Sequence, residues 1–251
     1  MNILYILGNG SLHNNEELRY SLRSVEKNVT PSAVERSPSS VERSPSTPEA
    51  RIIVVGDNPG FLSDKVEYHY VPDASSNKAY SIAKKIEWAC KNVLQGDFLF
   101  MNDDFFFHKK IVPAAYPNYQ MGPLKQSAPD RNYERLLLDT HNYLHTLGHT
   151  TLHFDVHTPI IYNTEKFLAL SPHWEESKKR HFGLVVKSVY GNIYGLPHLP
   201  YIDCKLDQLK TYDDFKRIEA TSCISCSDQG WRNGVADYLK LKFPNPSKFE
   251  I

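Results

Sequence analysis

Two adjacent carboxylates interrupt one of the most apolar runs of the chain, FLFMNDDFFF at residues 98–107. An ionised carboxylate is costly to bury alone, so the pair needs a cation, a set of donors or an exit to solvent. Asn102, Asp103 and Asp104 follow DFLFM, which reads as a strand, and ligands of open α/β sheets bind beyond the carboxyl ends of the strands. Two carboxylates at such an exit suit a hard divalent cation, Mg2+ or Mn2+, of the kind that bridges substrate phosphates. The alternative is that one aspartate caps a turn and the other is solvated.

A second constellation is His153, Asp155 and His157 in LHFDVHTP. The segment Thr151 to Asn163 alternates like a strand until Pro159, which puts these three on one face and Leu152, Phe154 and Val156 on the other. Such a face could supply a metal ligand, a general base or groups that bind an acceptor, or be a solvated edge. A third feature is Leu7, Gly8, Asn9 and Gly10, where glycines at a strand exit let the backbone approach a ligand. The run matches neither G-x-G-x-x-G nor a P-loop. Asp57, at the end of RIIVVGD, is placed where α/β nucleotide sites read a base or ribose hydroxyl. Asn77 and Lys78 open a long helix, where a phosphate or Asp103 could be met.

The elements that must hold these groups follow from periodicity. NILYIL, RIIVVGD and DFLFMND are apolar runs of buried strands, and VEYHYV is an alternating strand. NNEELRYSLRSVEKN carries Leu18, Leu22 and Val25 as a helical stripe, with Asn14 or Asn15 as a cap. NKAYSIAKKIEWACKNVL repeats Tyr80, Ala83, Ile86 and Cys90 with the same period, and NYERLLLDTHNYLHTL is a third helix. Buried strands alternating with helices predict an α/β fold, a single domain with a mostly parallel central sheet flanked by helices. Residues 29–50 contain VERSPS twice, at 34–39 and 41–46; the prolines and serines exclude a helical heptad and predict an expanded surface insert.

With 251 residues, 41% hydrophobic and 23% charged, the composition is that of an ordinary soluble globular protein. A net charge of zero argues against broad attraction to nucleic acid or anionic membrane. No run is long enough for a membrane span. Four cysteines are too few for a disulfide scaffold, so a reduced, cytoplasmic protein is expected, with the C-x-x-C pair Cys223/Cys226 structural and not a zinc site.

Together ILYILGNGS, NNEELRYSLRSVEKN, IIVVGDNPGFL, FLFMNDDFFF and FDVHTPIIYN resemble the conserved blocks of the Stealth family and its short bacterial and phage relatives. Those proteins transfer sugar-1-phosphate units from nucleotide sugars, on a catalytic domain similar to the GT-A fold of metal-dependent glycosyltransferases. The resemblance implies that Asp103 and Asp104 are the acidic pair, that Glu17 and Arg19 belong to the NEELR block, and that His157 is catalytic. It also implies an arginine in a fourth segment, where Lys187 or Arg180 stands here. The family's aspartate-rich opening is replaced by NILYILGNGS, and the chain is shorter than typical members.

The resulting expectation is a GT-A-like transferase that moves a sugar from a nucleotide-sugar donor to a hydroxyl acceptor, a saccharide or a modified DNA base, with Mn2+ or Mg2+ on Asp103 and Asp104. His157, Asp155 and Asp104 would be catalytic. Leu7, Gly8, Asn9, Gly10, Arg19, Asp57, Asn77, Lys78, Asn102 and Lys187 would bind the donor. Phosphosugar transfer, a non-catalytic binding module and a hydrolase using the His-Asp-His strand are the alternatives.

Overall fold

The structure is a computed structural model that describes residues 1–8, 13–30, 50–126 and 131–251. Asn9, Gly10 and the VERSPS repeat lie outside the described residues. In chain order the elements are β1 (Asn2–Leu7), α1 (Glu16–Asn28), β2 (Ile52–Gly56), β3 (Val66–His69), α2 (Lys78–Asn92), β4 (Asp97–Met101) and β5 (Phe105–Phe107). Next come β6 (Tyr119–Gln120), α3 (Asn132–Thr146), β7 (Ile160–Asn163), α4 (Thr164–Ala169), α5 (Ser171–Lys178), α6 (Val186–Ile193), β8 (Leu199–Pro200) and β9 (Lys205–Leu206). The chain closes with α7 (Tyr212–Ala220), β10 (Cys223–Cys226), α8 (Asp228–Gly230), a π-helical turn at Trp231–Val235, and α9 (Ala236–Lys242).

The central sheet runs β3-β2-β1-β4-β7; its first four strands are parallel and β7 is antiparallel to β4. This is the expected α/β class. Both faces of the inner strands are apolar, which is why they read as continuous hydrophobic runs. Leu4, Ile53, Val55, Phe98 and Phe100 pack under α2 with Phe167, Trp174 and Tyr190. Ile3, Tyr5, Val54, Leu99 and Met101 pack on the other side against Leu18, Leu22 and Val25 of α1 and against Phe105 and Phe107. Each such side chain contributes about 1.5–3 kcal/mol by burial. A small sheet, β5-β10-β9, hangs from the β4 exit over its own core of Phe106, Leu206, Ile224, Trp231 and Leu239.

Three details bear on the carboxyl ends of the strands. Gly56 ends β2 at φ +130, and a Cβ there would stand 2.0 Å from the Leu7 carbonyl oxygen, so only glycine fits. Asn15 takes the N-cap position of α1 in the left-handed region and makes no side-chain cap bond, so the expected cap is not formed. The chain terminus returns to α1. The Glu250 carboxylate accepts two N–H bonds from Arg23 at 2.9 and 2.8 Å, one from Arg19 at 3.4 Å, and the Ser247 amide at 2.8 Å.

Two expectations need correction. Thr151 to Pro159 is not a strand: residues 151–153 pair with the loop at 121–124, a bend follows at 157–158, and only Ile160–Asn163 joins the sheet. The insert is also shorter than 29–50 at its first end, because Val29 bridges Ile111 and the Thr30 amide donates to the Ile111 carbonyl at 3.0 Å.

Candidate functional site

The parallel strands β1 and β4 end side by side, and their carboxyl ends open into a cleft of about 450 Å³. Gly8, Glu17, Lys78, Lys85, Asp103 and Asp104 line it from the large sheet and its helices, and Lys205 and Asp228 face them from the small-sheet side. The turn that carries the aspartates is closed by the Phe105 amide on the Asn102 carbonyl at 3.3 Å. Asn102 therefore shapes the turn, and its two neighbours are left to face the cleft.

Burial, then the charges of Asp104 and Glu17, pushes the Asp103 carboxyl up to about 7. The Asp104 carboxyl is also raised by burial, although Ser225 donates to it at 2.7 Å and the Lys205 and Lys187 charges pull the other way. Burial raises Glu17 too, and its buried Oε2 makes no hydrogen bond among the described residues. Three acids thus share a space in which their ionised forms are under-compensated. That answers the question posed by FLFMNDDFFF: the pair has the Ser225 hydroxyl, the amides of its own turn and the charges of Lys205 and Lys187, and otherwise faces the cleft.

The donors available suit a hard divalent cation, since Asp103, Asp104 and Glu17 offer only oxygen. A second set adjoins them. His13, Glu17 and Asp228 each present a ligand atom within 4.8 Å of the others, with His13 Nε2 3.5 Å from Asp228 and 3.9 Å from Glu17. Lys78 and Lys85 join Lys205 in the cleft's electrostatics. Lys78, at the first position of α2, is exposed. Lys85 is 2% exposed, donates to the Leu7 carbonyl at 2.7 Å and pairs with Asp73 at 2.6 Å. Sequence reasoning missed Lys85. It adjoins Lys84, which looks identical in sequence but is bound to Glu87, and only the tertiary position of the β1 end separates the two.

The His-Asp-His segment does not present one polar face. His153 is buried, Asp155 and His157 are half-buried, and Leu152 is half-buried as well. Tyr133 donates to Asp155 at 2.9 Å, so its oxygen accepts from His153 Nε2 at 3.2 Å. This ties Asp155 to His153, while its influence on His157 is only charge through space. Burial lowers His157 to about 4, with Lys205 and Lys187 adding to the effect, so the imidazole is neutral at pH 7. Its backbone carbonyl accepts from Cys204 Sγ at 3.0 Å.

Several expected donor-binding residues do other work. Lys187 is 4% exposed, donates to the Val156 and Thr158 carbonyls at 2.9 Å each, and sits over the Phe105 ring. It holds the backbone around His157 and does not line the cleft. Arg19 lies over Phe61 and bonds Glu16 and Glu250, on the far side of α1 from Glu17. Asn77 caps α2 through the Tyr80 amide and donates to the Ser177 and Arg180 carbonyls. Asp57 stands at the end of β2, outside the cleft lining, where its charge helps burial raise the Tyr68 phenol. Leu7 contributes its carbonyl, with its side chain in the core. The four cysteines are buried free thiols, and Cys223 and Cys226 stand at the two ends of β10.

No helix of the described residues is long and apolar enough to cross a membrane. Neither a family model nor a curated protein matches the chain.

Proposed function

We propose that the chain is a GT-A-like, divalent-cation-dependent transferase that moves a sugar from a nucleotide-sugar donor to a hydroxyl acceptor. One observation carries the reading: three under-compensated acids, Asp103, Asp104 and Glu17, stand beside Lys78 and Lys85 in a cleft at the carboxyl ends of β1 and β4. Open α/β sheets bind ligands there. Asp103 and Asp104, with Glu17 next to them, would hold Mg2+ or Mn2+, which would neutralise the diphosphate and stabilise the charge that develops on it.

The residues divide the remaining work. Lys78 offers a mobile ammonium to donor phosphates at the start of a helix, where the dipole also favours an anion. Gly8 lets the backbone lie close to the donor. Lys85 fixes the β1 exit through the Leu7 carbonyl. Neutral His157 is suited to take the acceptor's proton, and Lys187 positions it by holding the peptides on either side.

The test is incubation of the pure chain with UDP- and GDP-sugars and Mn2+, followed by nucleotide analysis. Nucleoside diphosphate release supports glycosyl transfer. Nucleoside monophosphate release would replace it with the phosphosugar transfer that the Stealth resemblance implies. Release of neither, with binding intact, would reduce the chain to a binding module.

A further inference from the structure

A second hollow lies at the other end of β10: Cys223 borders it, while Cys226 borders the cleft. It encloses about 290 Å³ and is walled by Tyr116, Tyr119 and Tyr201, with Thr158, Ile202 and Ser222 between them. Lys109 is its single charged lining residue among the described residues, and that ammonium donates to the Glu219 carbonyl.

The hollow is joined to the His157 segment on two sides. Thr158 is the next residue of the chain. The Tyr201 hydroxyl accepts the Cys204 amide at 3.1 Å, and Cys204 Sγ donates to the His157 carbonyl at 3.0 Å. Thr158 is 6% exposed, yet its Oγ1 makes no hydrogen bond among the described residues. A buried hydroxyl left unpaired is costly. Thr158 lines the hollow, so a ligand with a polar edge there would give that oxygen its missing partner.

Aromatic walls with a few hydroxyls hold an uncharged ring, its apolar face on the rings and its edge on the hydroxyls. On the transferase reading above, which this inference rests on, we propose that the hollow is the acceptor subsite and takes a neutral saccharide residue. Its reacting oxygen would leave the hollow beside Thr158, the chain neighbour of His157. That oxygen bonds to the donor's anomeric carbon, the bond from that carbon to phosphate breaks with its electron pair leaving on the nucleoside diphosphate, and the hydroxyl proton goes to His157. Charge decides against a nucleic-acid acceptor. Affinity for DNA comes from several cationic phosphate contacts, whereas among the described residues this hollow offers only Lys109, whose ammonium already donates to the Glu219 carbonyl, in a chain of zero net charge.

The experiment is saturation-transfer NMR on the full chain with methyl glycosides of glucose, galactose, mannose and N-acetylglucosamine, without nucleotide or metal. At least one glycoside should bind the wild type and Asp103→Asn alike. Tyr201→Ala should weaken it about tenfold, as truncating an aromatic anchor does. Ile202→Arg, a change at an exposed position, should close the hollow and abolish binding even if Tyr201→Ala fails to fold. Thr158→Val should weaken binding while melting at or above the wild-type temperature, because its hydroxyl has no structural partner to lose. The proposal is overturned if no glycoside binds, if Ile202→Arg and Thr158→Val bind as wild type, or if a thymidine oligonucleotide binds in their place. Since no donor is present, any of these outcomes leaves the nucleotide-release assay to judge the transferase reading separately.

Discussion

The chain buries carboxylates in two regions and treats them in opposite ways. Glu250, with 1% of its side chain exposed, would be pushed up by burial, but the Arg23 and Ser247 hydrogen bonds outweigh that and hold it below the usual carboxylate range. Asp103 and Asp104, half-buried at the cleft, meet desolvation without an arginine, and both rise. Acids in one fold thus serve as a clasp where an arginine hydrogen-bonds them directly and as a vacancy in the charge balance where the chain's lysines act on them only through space. The contrast identifies the cleft better than the residue types alone, since a fully paired acid has little left to offer a ligand.

Charge removal should separate the two regions most sharply in turnover. Asp103→Asn and Asp104→Asn should each lower Mn2+-dependent nucleotide release on the order of 10³-fold, the several kcal/mol that a metal clamp supplies. Their metal-free stability in urea should equal or exceed that of the wild type, and unfolding of either would make the pair structural. Glu250→Ala is the mirror image. Leaving Arg23 buried without its partner should cost about 3–5 kcal/mol in urea unfolding, with turnover per folded molecule unchanged. His157→Ala should slow turnover about 10²-fold or more while donor affinity stays within a few-fold; a parallel loss of Mn2+ affinity would make it a ligand instead of a base.

Lys187→Met tests the support beneath that histidine. It strands the Val156 and Thr158 carbonyls, at about 1–3 kcal/mol of stability, and turnover should fall with donor affinity preserved. The smallest effect is the pH signature of the vacancy. Asp103 is raised in the folded state to about 7 from the usual carboxylate range, so its stabilising protonation is complete at low pH and is lost as pH rises through about 7. Melting of metal-free Asp103→Asn should match the wild type near pH 4 and exceed it progressively toward pH 8. A constant difference across that range would remove Asp103 as the titrating group.

Much of the scaffold is legible in the residues. NILYIL, IIVVG and DFLFM announce buried parallel strands by apolar runs, and the stripe Leu18-Leu22-Val25 announces the helix that covers them. The acid pair is legible because burial and charge conflict within ten residues. The His-Asp-His segment is misread because alternation predicts a pleat only where a partner strand exists, and here pairing stops at residue 153. The small sheet escapes notice because β5, β9 and β10 are two to four residues long, too short for a period to show. Arg19 and Glu17 are two residues apart on α1, so they project from different faces, and one reaches Glu250 while the other reaches the cleft.

Gly56 carries a consequence for the genetics of this chain. Any side chain at that position must displace the Leu7 carbonyl, which is also the acceptor that holds Lys85 at the cleft. A missense allele there would combine a folding lesion with a disturbed cleft, although residue 56 itself is a strand terminus with no functional group to offer. In a screen for conditional alleles, substitutions at Gly56 should score with the Asp103 class at permissive temperature and with the Glu250 class at restrictive temperature, so one codon reports on both halves of the molecule's charge economy.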